Sequence, residues 1–173
     1  MHTDKINGKE LPKGLWPGLW VVATPIGNLQ DLSPRARVAL EAADWILCED
    51  TRVGQSLLSA LQISAHGRLR RFDQHSGESD ANHWVSEILH NKNVALISDA
   101  GTPGVSDPGA VLVSTALEQG VRVVPVVGPS ALAGLISVSG FESRKIVFSG
   151  FFARKPEDEK TRLMAATSEP ELW

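Results

Sequence analysis

The sequence predicts an α/β fold, a mostly parallel five-stranded sheet with helices on both faces. Three observations lead there. Short, wholly apolar runs such as Trp20-Val21-Val22-Ala23 and Val94-Ala95-Leu96-Ile97 suit strands buried on both sides. Stretches of helical spacing alternate with them. Loops rich in glycine and proline follow the strands directly, where open α/β sheets bind ligands.

Taken in order, residues 1–18 carry Gly8, Pro12, Gly14, Pro17 and Gly18 without periodicity and read as a flexible leader. Trp20-Val21-Val22-Ala23 is the first strand, left through Thr24-Pro25-Ile26-Gly27-Asn28-Leu29. Ser33 and Pro34 suit the cap and first turn of a helix in which Ala36, Ala39, Leu40 and Ala43 recur at helical spacing. Trp45-Ile46-Leu47-Cys48 is a second strand, followed from about Arg52 by a helix with Leu57, Leu58 and Leu61 on its apolar face. A weak strand spans Leu69 to Phe72, and Ala81, Trp84, Val85, Ile88 and Leu89 mark a third helix.

Val94 to Ile97 then leads into the long loop Ser98–Gly109. Asp107 and Pro108 resemble the cap and first position of a helix with Leu112, Val113, Ala116 and Leu117 inward, and Gly120 ends it. Val121 to Pro125 make a fifth strand, and Gly128-Pro129-Ser130-Ala131 turns into an apolar helix. From Lys145 the character changes: Ile146-Val147-Phe148 reads as a further strand, ahead of a charged segment from Pro156 to Arg162. The expected organisation is a leader over 1–18, an α/β domain over 19–144, and over 145–173 a linker and the start of an absent second domain.

Lys and Arg total 17 against 20 Asp and Glu, a net charge of −3 that is no footprint for avid, sequence-independent nucleic-acid binding. Any RNA contact must be local. The small basic clusters, Arg68 with Arg70 and Arg71, and Arg144-Lys145 with Arg154-Lys155, read as solvated surface. Cys48 is the only cysteine, so no intrachain disulfide or cysteine-based metal cluster forms, which fits a reducing cytoplasm. No run approaches the roughly 18 apolar residues of a membrane span, and Met1 to Lys13 lacks an apolar signal core, so a soluble protein is expected.

The loops exclude some chemistries. Neither contains G-x-x-x-x-G-K-[ST] or G-x-G-x-x-G, which argues against a phosphate cradle or a dinucleotide fingerprint. His66, His75, His83 and His90 are scattered, so no metal centre or catalytic triad is indicated. Glu49-Asp50-Thr51-Arg52 ends the second strand on the ligand edge. It suits a helix cap with Arg52 solvated, or equally a carboxylate that receives a proton while Arg52 holds an acidic substrate. Asp73-Gln74-His75-Ser76 has the same edge position and the same two readings.

Together, VVATPIGNLQDLSPRA, CEDTR, ALISDAGTPGVSDPG and VVPVVGPSALAGL, followed by FSGFFARK, resemble the tetrapyrrole methylase superfamily. The match runs unbroken over about residues 18 to 163, and within the superfamily it is most similar to the 16S ribosomal RNA cytidine 2′-O-methyltransferases. That resemblance implies S-adenosylmethionine as cofactor, a trough between two α/β domains, and a homodimer. Carried over by position, Pro25 flanks the cofactor, Asp99, Ala100, Gly101, Thr102 and Val105 line it, and Ser130 and Ala131 touch it. Glu49, Asp50 and His75 are the candidates for proton removal or substrate contact. The sequence departs from the family where Asp73-Gln74-His75-Ser76-Gly77-Glu78 stands in place of His-Glu-His-Asn-Glu, and at Val53-Gly54-Gln55. Two alternatives to ribosomal RNA methylation stay open, namely methylation of a small tetrapyrrole-like substrate and a non-catalytic cofactor-binding or dimerisation module.

Overall fold

The computed structural model describes residues 5–6, 9–10, 17–105, 107–142, 146–148, 150 and 155–167. Contacts divide the chain into two units, Met1–Ser130 and Ala131–Trp173. In the first unit, strands β3 (Leu19–Val22), β4 (Trp45–Cys48), β5 (Leu69–Arg71), β6 (Val94–Leu96) and β7 (Val123–Val126) stand in the order β5-β4-β6-β3-β7. Every neighbouring pair is parallel, with Trp20 opposite Ala95 and Val124, and Ile46 opposite Ala95 and Leu69.

That order decides where the helices lie. The chain steps across the sheet in one direction from β3 to β5 and in the other from β5 to β7. Right-handed crossovers therefore put α1 (Pro34–Ala42) and α2 (Thr51–Ala60) on one face and α3 (Glu78–Leu89) and α4 (Gly109–Glu118) on the other. The two cores follow this division. Trp20, Val22, Ile46 and Cys48 pack with Leu40 and Leu58, while Leu19, Leu47 and Leu96 pack with Val85, Leu112 and Ala116. Successive strand residues point to opposite faces, so a strand covered on both sides has to be apolar throughout. Each fully buried Leu or Ile contributes about 1.5–3 kcal/mol.

Reversal of direction at β5 also creates the ligand edge. β3 and β4 send the chain to the α1 and α2 face, whereas β6, between them, sends it to the opposite face. Crevices thus open on both sides of the carboxyl end of β6.

Helix ends are closed by side chains. Ser33 Oγ accepts from Ala36 N at 3.1 Å and caps α1 with Pro34 in its first turn. At the other end of α1, the Arg68 guanidinium donates to the carbonyls of Leu40 (3.1 Å), Glu41 (3.3 Å) and Ala43 (2.6 Å), and also to Ser64 O. Carbonyls that a helix end leaves without partners are thereby bonded.

Several sequence expectations change. Residues 5–6 and 9–10 of the expected leader pair as β1 (Lys5–Ile6) and β2 (Lys9–Glu10), antiparallel, and the Asn7-Gly8 between them is a strong hairpin signal that periodicity overlooks. A 3₁₀ turn covers Leu29–Asp31, with Asn28 Oδ1 accepting from Gln30 N at 3.0 Å. The fifth strand begins at Val123, not Val121, because Val121 N is bonded back to Ala116 O at 2.8 Å behind Gly120. Pro125 is tolerated there because β7 is an edge strand with no second partner. Helix α4 starts at Gly109, with Pro108 in the cap position. Leu117, expected inward, is 60% exposed, and Thr115 is buried beside Ala116, its hydroxyl satisfied by Val111 O at 2.9 Å. Ile146-Val147-Phe148 forms no strand. The second unit contains α5 (Ala131–Val138) and α6 (Pro156–Thr167).

Candidate functional site

Three loops meet at the carboxyl edge. Behind β3, Thr24 exchanges both main-chain hydrogen bonds with Gly101 of the long loop, Thr24 N to Gly101 O at 2.8 Å and Gly101 N to Thr24 O at 3.1 Å. The fully buried Thr24 hydroxyl lies within hydrogen-bond reach of Ser98 O (3.2 Å) and Gly101 O (3.3 Å). The loop after β7 is tied in by Thr102, whose Oγ1 donates to Pro129 O at 2.9 Å. Gly101 sits at φ +84°, and a Cβ there would lie 3.3 Å from Ile26 Cγ2. Glycine at this position lets three main chains close on one another.

Asp107 shapes the far end of the long loop. Its carboxylate accepts from Gly104 N at 2.6 Å and Gly109 N at 2.9 Å, pinning the turn that enters α4. Pro25, Gly101 and Pro103 are buried, Thr102 and Ser130 half-buried, and Asp99, Ala100 and Val105 exposed. Ala131 opens α5 in the second unit.

Beside this rim lies a group of carboxylates. Glu49, at the end of β4, is pushed above the usual carboxylate range, first by burial and then by Asp99, Asp107 and Asp73. The same neighbourhood raises the buried Cys48 thiol to about 12, through burial and then Asp99, Asp50 and Glu49. Among the described residues, no set of three His, Cys, Asp or Glu is placed to hold a metal ion.

The three candidate proton acceptors differ sharply. Asp50 is occupied: Oδ1 accepts from Arg52 N at 2.8 Å and Nε at 3.1 Å, and Oδ2 accepts from Nη2 at 2.6 Å. It caps α2, and the guanidinium beside it holds its carboxyl well below the usual range. His75 is exposed, and its main-chain N–H donates to Asp73 Oδ1 at 2.9 Å. That bond lowers the Asp73 carboxyl, helped by an ion pair with Arg71. Glu49 alone combines partial burial with an environment that favours holding a proton.

Sequence reasoning put Thr24, Ser98, Asp73 and Asp107 on this edge but did not foresee the bonds they make there. Asp107-Pro108-Gly109 carried a signal, since Asp before such a turn bonds its own following amides. Thr24 carried none, because its partners Ser98 and Gly101 are more than 70 residues away.

A doubly wound parallel sheet with its loops gathered at one edge defines a class of α/β protein, and comparison with known proteins specifies which. The chain belongs to the tetrapyrrole (corrin/porphyrin) methylase family, whose sequence pattern matches residues 18–171. It is 43% identical over 166 residues to Ribosomal RNA small subunit methyltransferase I of Mesorhizobium japonicum, covering 95% of this chain and 56% of that protein. With the protein of the same name from Leptospira biflexa it shares 46% over 154 residues, covering 89% and 62%. The chain thus spans little more than half the length of these relatives. Its fold resembles that of uroporphyrin-III-C-methyltransferase from Thermus thermophilus, with a TM-score of 0.54 at 21% identity over 71% of this chain and 53% of that one. No helix among the described residues is long and apolar enough to cross a membrane.

Proposed function

We propose that this chain supplies the S-adenosylmethionine-binding part of a methyltransferase that acts on a ribose 2′-hydroxyl of a cytidine in 16S ribosomal RNA, in the cytoplasm and as a homodimer. The single observation that carries the reading is the closed rim of Thr24, Gly101 and Pro129, which presents main chain from three strand ends to one place. The residues fit the cofactor. Glu49, Asp73, Asp99 and Asp107 make an acidic surround suited to a cation. Pro25, Asp99, Ala100, Gly101, Thr102, Val105 and Ser130 would hold it. When bound, S-adenosylmethionine supplies an electrophilic methyl group on a positively charged sulfur.

The residues of this chain have two tasks. The rim orients, and alignment of reacting atoms lowers a barrier by about 7–11 kcal/mol relative to free encounter. Glu49 takes the proton of the ribose hydroxyl at its carboxylate, a contribution of about a hundred- to ten-thousand-fold. Burial first, and then its carboxylate neighbours, raise its basicity, whereas Asp50 is committed to Arg52. The names of the relatives favour ribosomal RNA over a tetrapyrrole as the methyl acceptor.

The test is methyl incorporation from labelled S-adenosylmethionine into under-modified 30S subunits, by this chain and by a version extended with a relative's second domain. Labelled 2′-O-methylcytidine in 16S RNA is the expected product. Labelling of a porphyrinoid but not of RNA would replace the substrate, and cofactor binding without transfer to either would leave only a binding module.

A further inference from the structure

The first half of the long loop Ser98–Gly109 is held by several ties. Thr24 bonds Gly101 in both directions, Ser98 Oγ lies 3.3 Å from the carbonyls of Ala100 and Gly101, and Thr102 Oγ1 donates to Pro129 O. Beyond Thr102 the support changes. Gly104 stands at φ +89° and is exposed, a Cβ on it would meet nothing within 4 Å, and Val105 is 39% exposed. Packing does little to fix this stretch, and glycine has the most backbone freedom to lose.

One carboxylate fixes it instead. Asp107 Oδ2 accepts from Gly104 N at 2.6 Å and Oδ1 from Gly109 N at 2.9 Å. A helix start needs only the second of these, a bond to an amide that follows, as Ser33 and Asp50 make for α1 and α2. The first is the shorter, and it reaches back three residues, out of α4 and into the loop. Gly109 is closely seated, since a Cβ there would lie 2.8 Å from Leu96 Cδ2 and 2.9 Å from Asp107 Oδ1. The start of α4 thus rests on the last residue of β6, and the bond to Gly104 carries that fixed position back into the loop.

We propose that Asp107 is a positioning residue for cofactor binding: its carboxylate, shared between Gly104 and Gly109, holds Gly101–Val105 in their binding shape before S-adenosylmethionine arrives. This rests on the cofactor reading above and goes beyond it, because Asp107 acts through the loop backbone and not by touching the ligand. A segment already ordered in the free protein does not have to be ordered by the ligand, so losing the tie weakens binding. Removing Asp107 also removes a charge that attracts a cation. S-adenosylhomocysteine separates the two effects, since it keeps the adenosine and amino-acid parts but has a neutral sulfur.

Calorimetry with both ligands tests it, on the whole chain and its Asp107→Ala, Asp107→Asn and Asp44→Ala variants, beside urea unfolding of each. Asp44 Oδ2 accepts from Asn93 N at 2.8 Å ahead of β4 and β6, at the opposite end of the sheet, and so serves as the control for losing a carboxylate that pins a loop. Asp107→Ala should weaken both ligands by the same factor, about tenfold. Asp107→Asn, left with one acceptor oxygen for two amides, should fall between Asp107→Ala and wild type. Asp44→Ala should lower the urea midpoint and keep wild-type affinities. In the ligand-free protein the Gly104 amide should exchange with deuterium about tenfold faster in Asp107→Ala than in wild type. Wild-type affinity for both ligands in Asp107→Ala, or a loss confined to S-adenosylmethionine, would overturn the positioning role while leaving the cofactor reading in place. An equal loss in Asp44→Ala would overturn it as well, as general destabilisation. A wild-type chain that binds neither ligand would overturn both.

Discussion

Gly101→Ala is the sharpest probe of the loop rim. Alanine there would have to take φ +84°, a left-handed conformation that costs an L residue about 1–2 kcal/mol. Its methyl would meet Ile26 Cγ2 at 3.3 Å, and because Ile26 is 42% exposed it can give way, adding little. The total, about 1–2 kcal/mol, should lower the urea midpoint by about 0.5–1 M at a slope near 2 kcal/mol per M. Gly120→Ala imposes the same strain, with φ +72° and nothing within 4 Å of the new methyl, but at the end of α4. Both variants should lose similar stability, and only Gly101→Ala should also lose S-adenosylmethionine affinity in calorimetry, by about tenfold, or about 1.4 kcal/mol. Unchanged affinity in Gly101→Ala, or equal loss in both variants, would refute the rim as the cofactor cradle.

Three further outcomes are expected. Because the folded-state carboxyl of Glu49 is raised, its protonated form is favoured on folding, and stability falls as pH rises from the ordinary carboxylate range through the raised value. Glu49→Gln should remove that fall, giving a higher urea midpoint than wild type at neutral pH together with about a hundred- to ten-thousand-fold slower methyl transfer; a lower midpoint, or undiminished transfer, would contradict this. Cys48, raised to about 12 and buried, should react with a maleimide far more slowly in native protein near pH 8 than after unfolding in urea, and equal rates would contradict its placement. Arg68→Met strips the charged donor from carbonyls at the end of α1 and should cost about 2 kcal/mol in urea unfolding, while a change below about 0.5 kcal/mol would show that water replaces it fully.

Local pattern made much of the fold legible. Helical spacing located α1 to α4, and Gly120 ends α4 where a C-terminal glycine should. It failed where a tertiary bond overruled it: Val121 is apolar enough for a strand, yet its amide belongs to the preceding helix. It also left open whether Asp50 served as cap or base, since both need a carboxylate at the end of a strand. The bond from Arg52 N to Asp50 Oδ1 makes Asp50 the cap, and the raised carboxyl of Glu49 is the reason it is the one proposed as proton acceptor.

What the sequence determined by itself was the alternation of strands and helices, the glycine and proline loops at strand ends, and the family to which their order belongs. These are carried by near neighbours, through spacing, turn chemistry and capping. The tertiary structure alone decided that β6 stands between β3 and β4, that Thr24 closes on Gly101, and that Glu49 shares its surroundings with Asp73, Asp99 and Asp107. Those outcomes depend on which strands pair across the sheet, and pairing is settled by burial of both faces at once, which no single stretch of chain encodes.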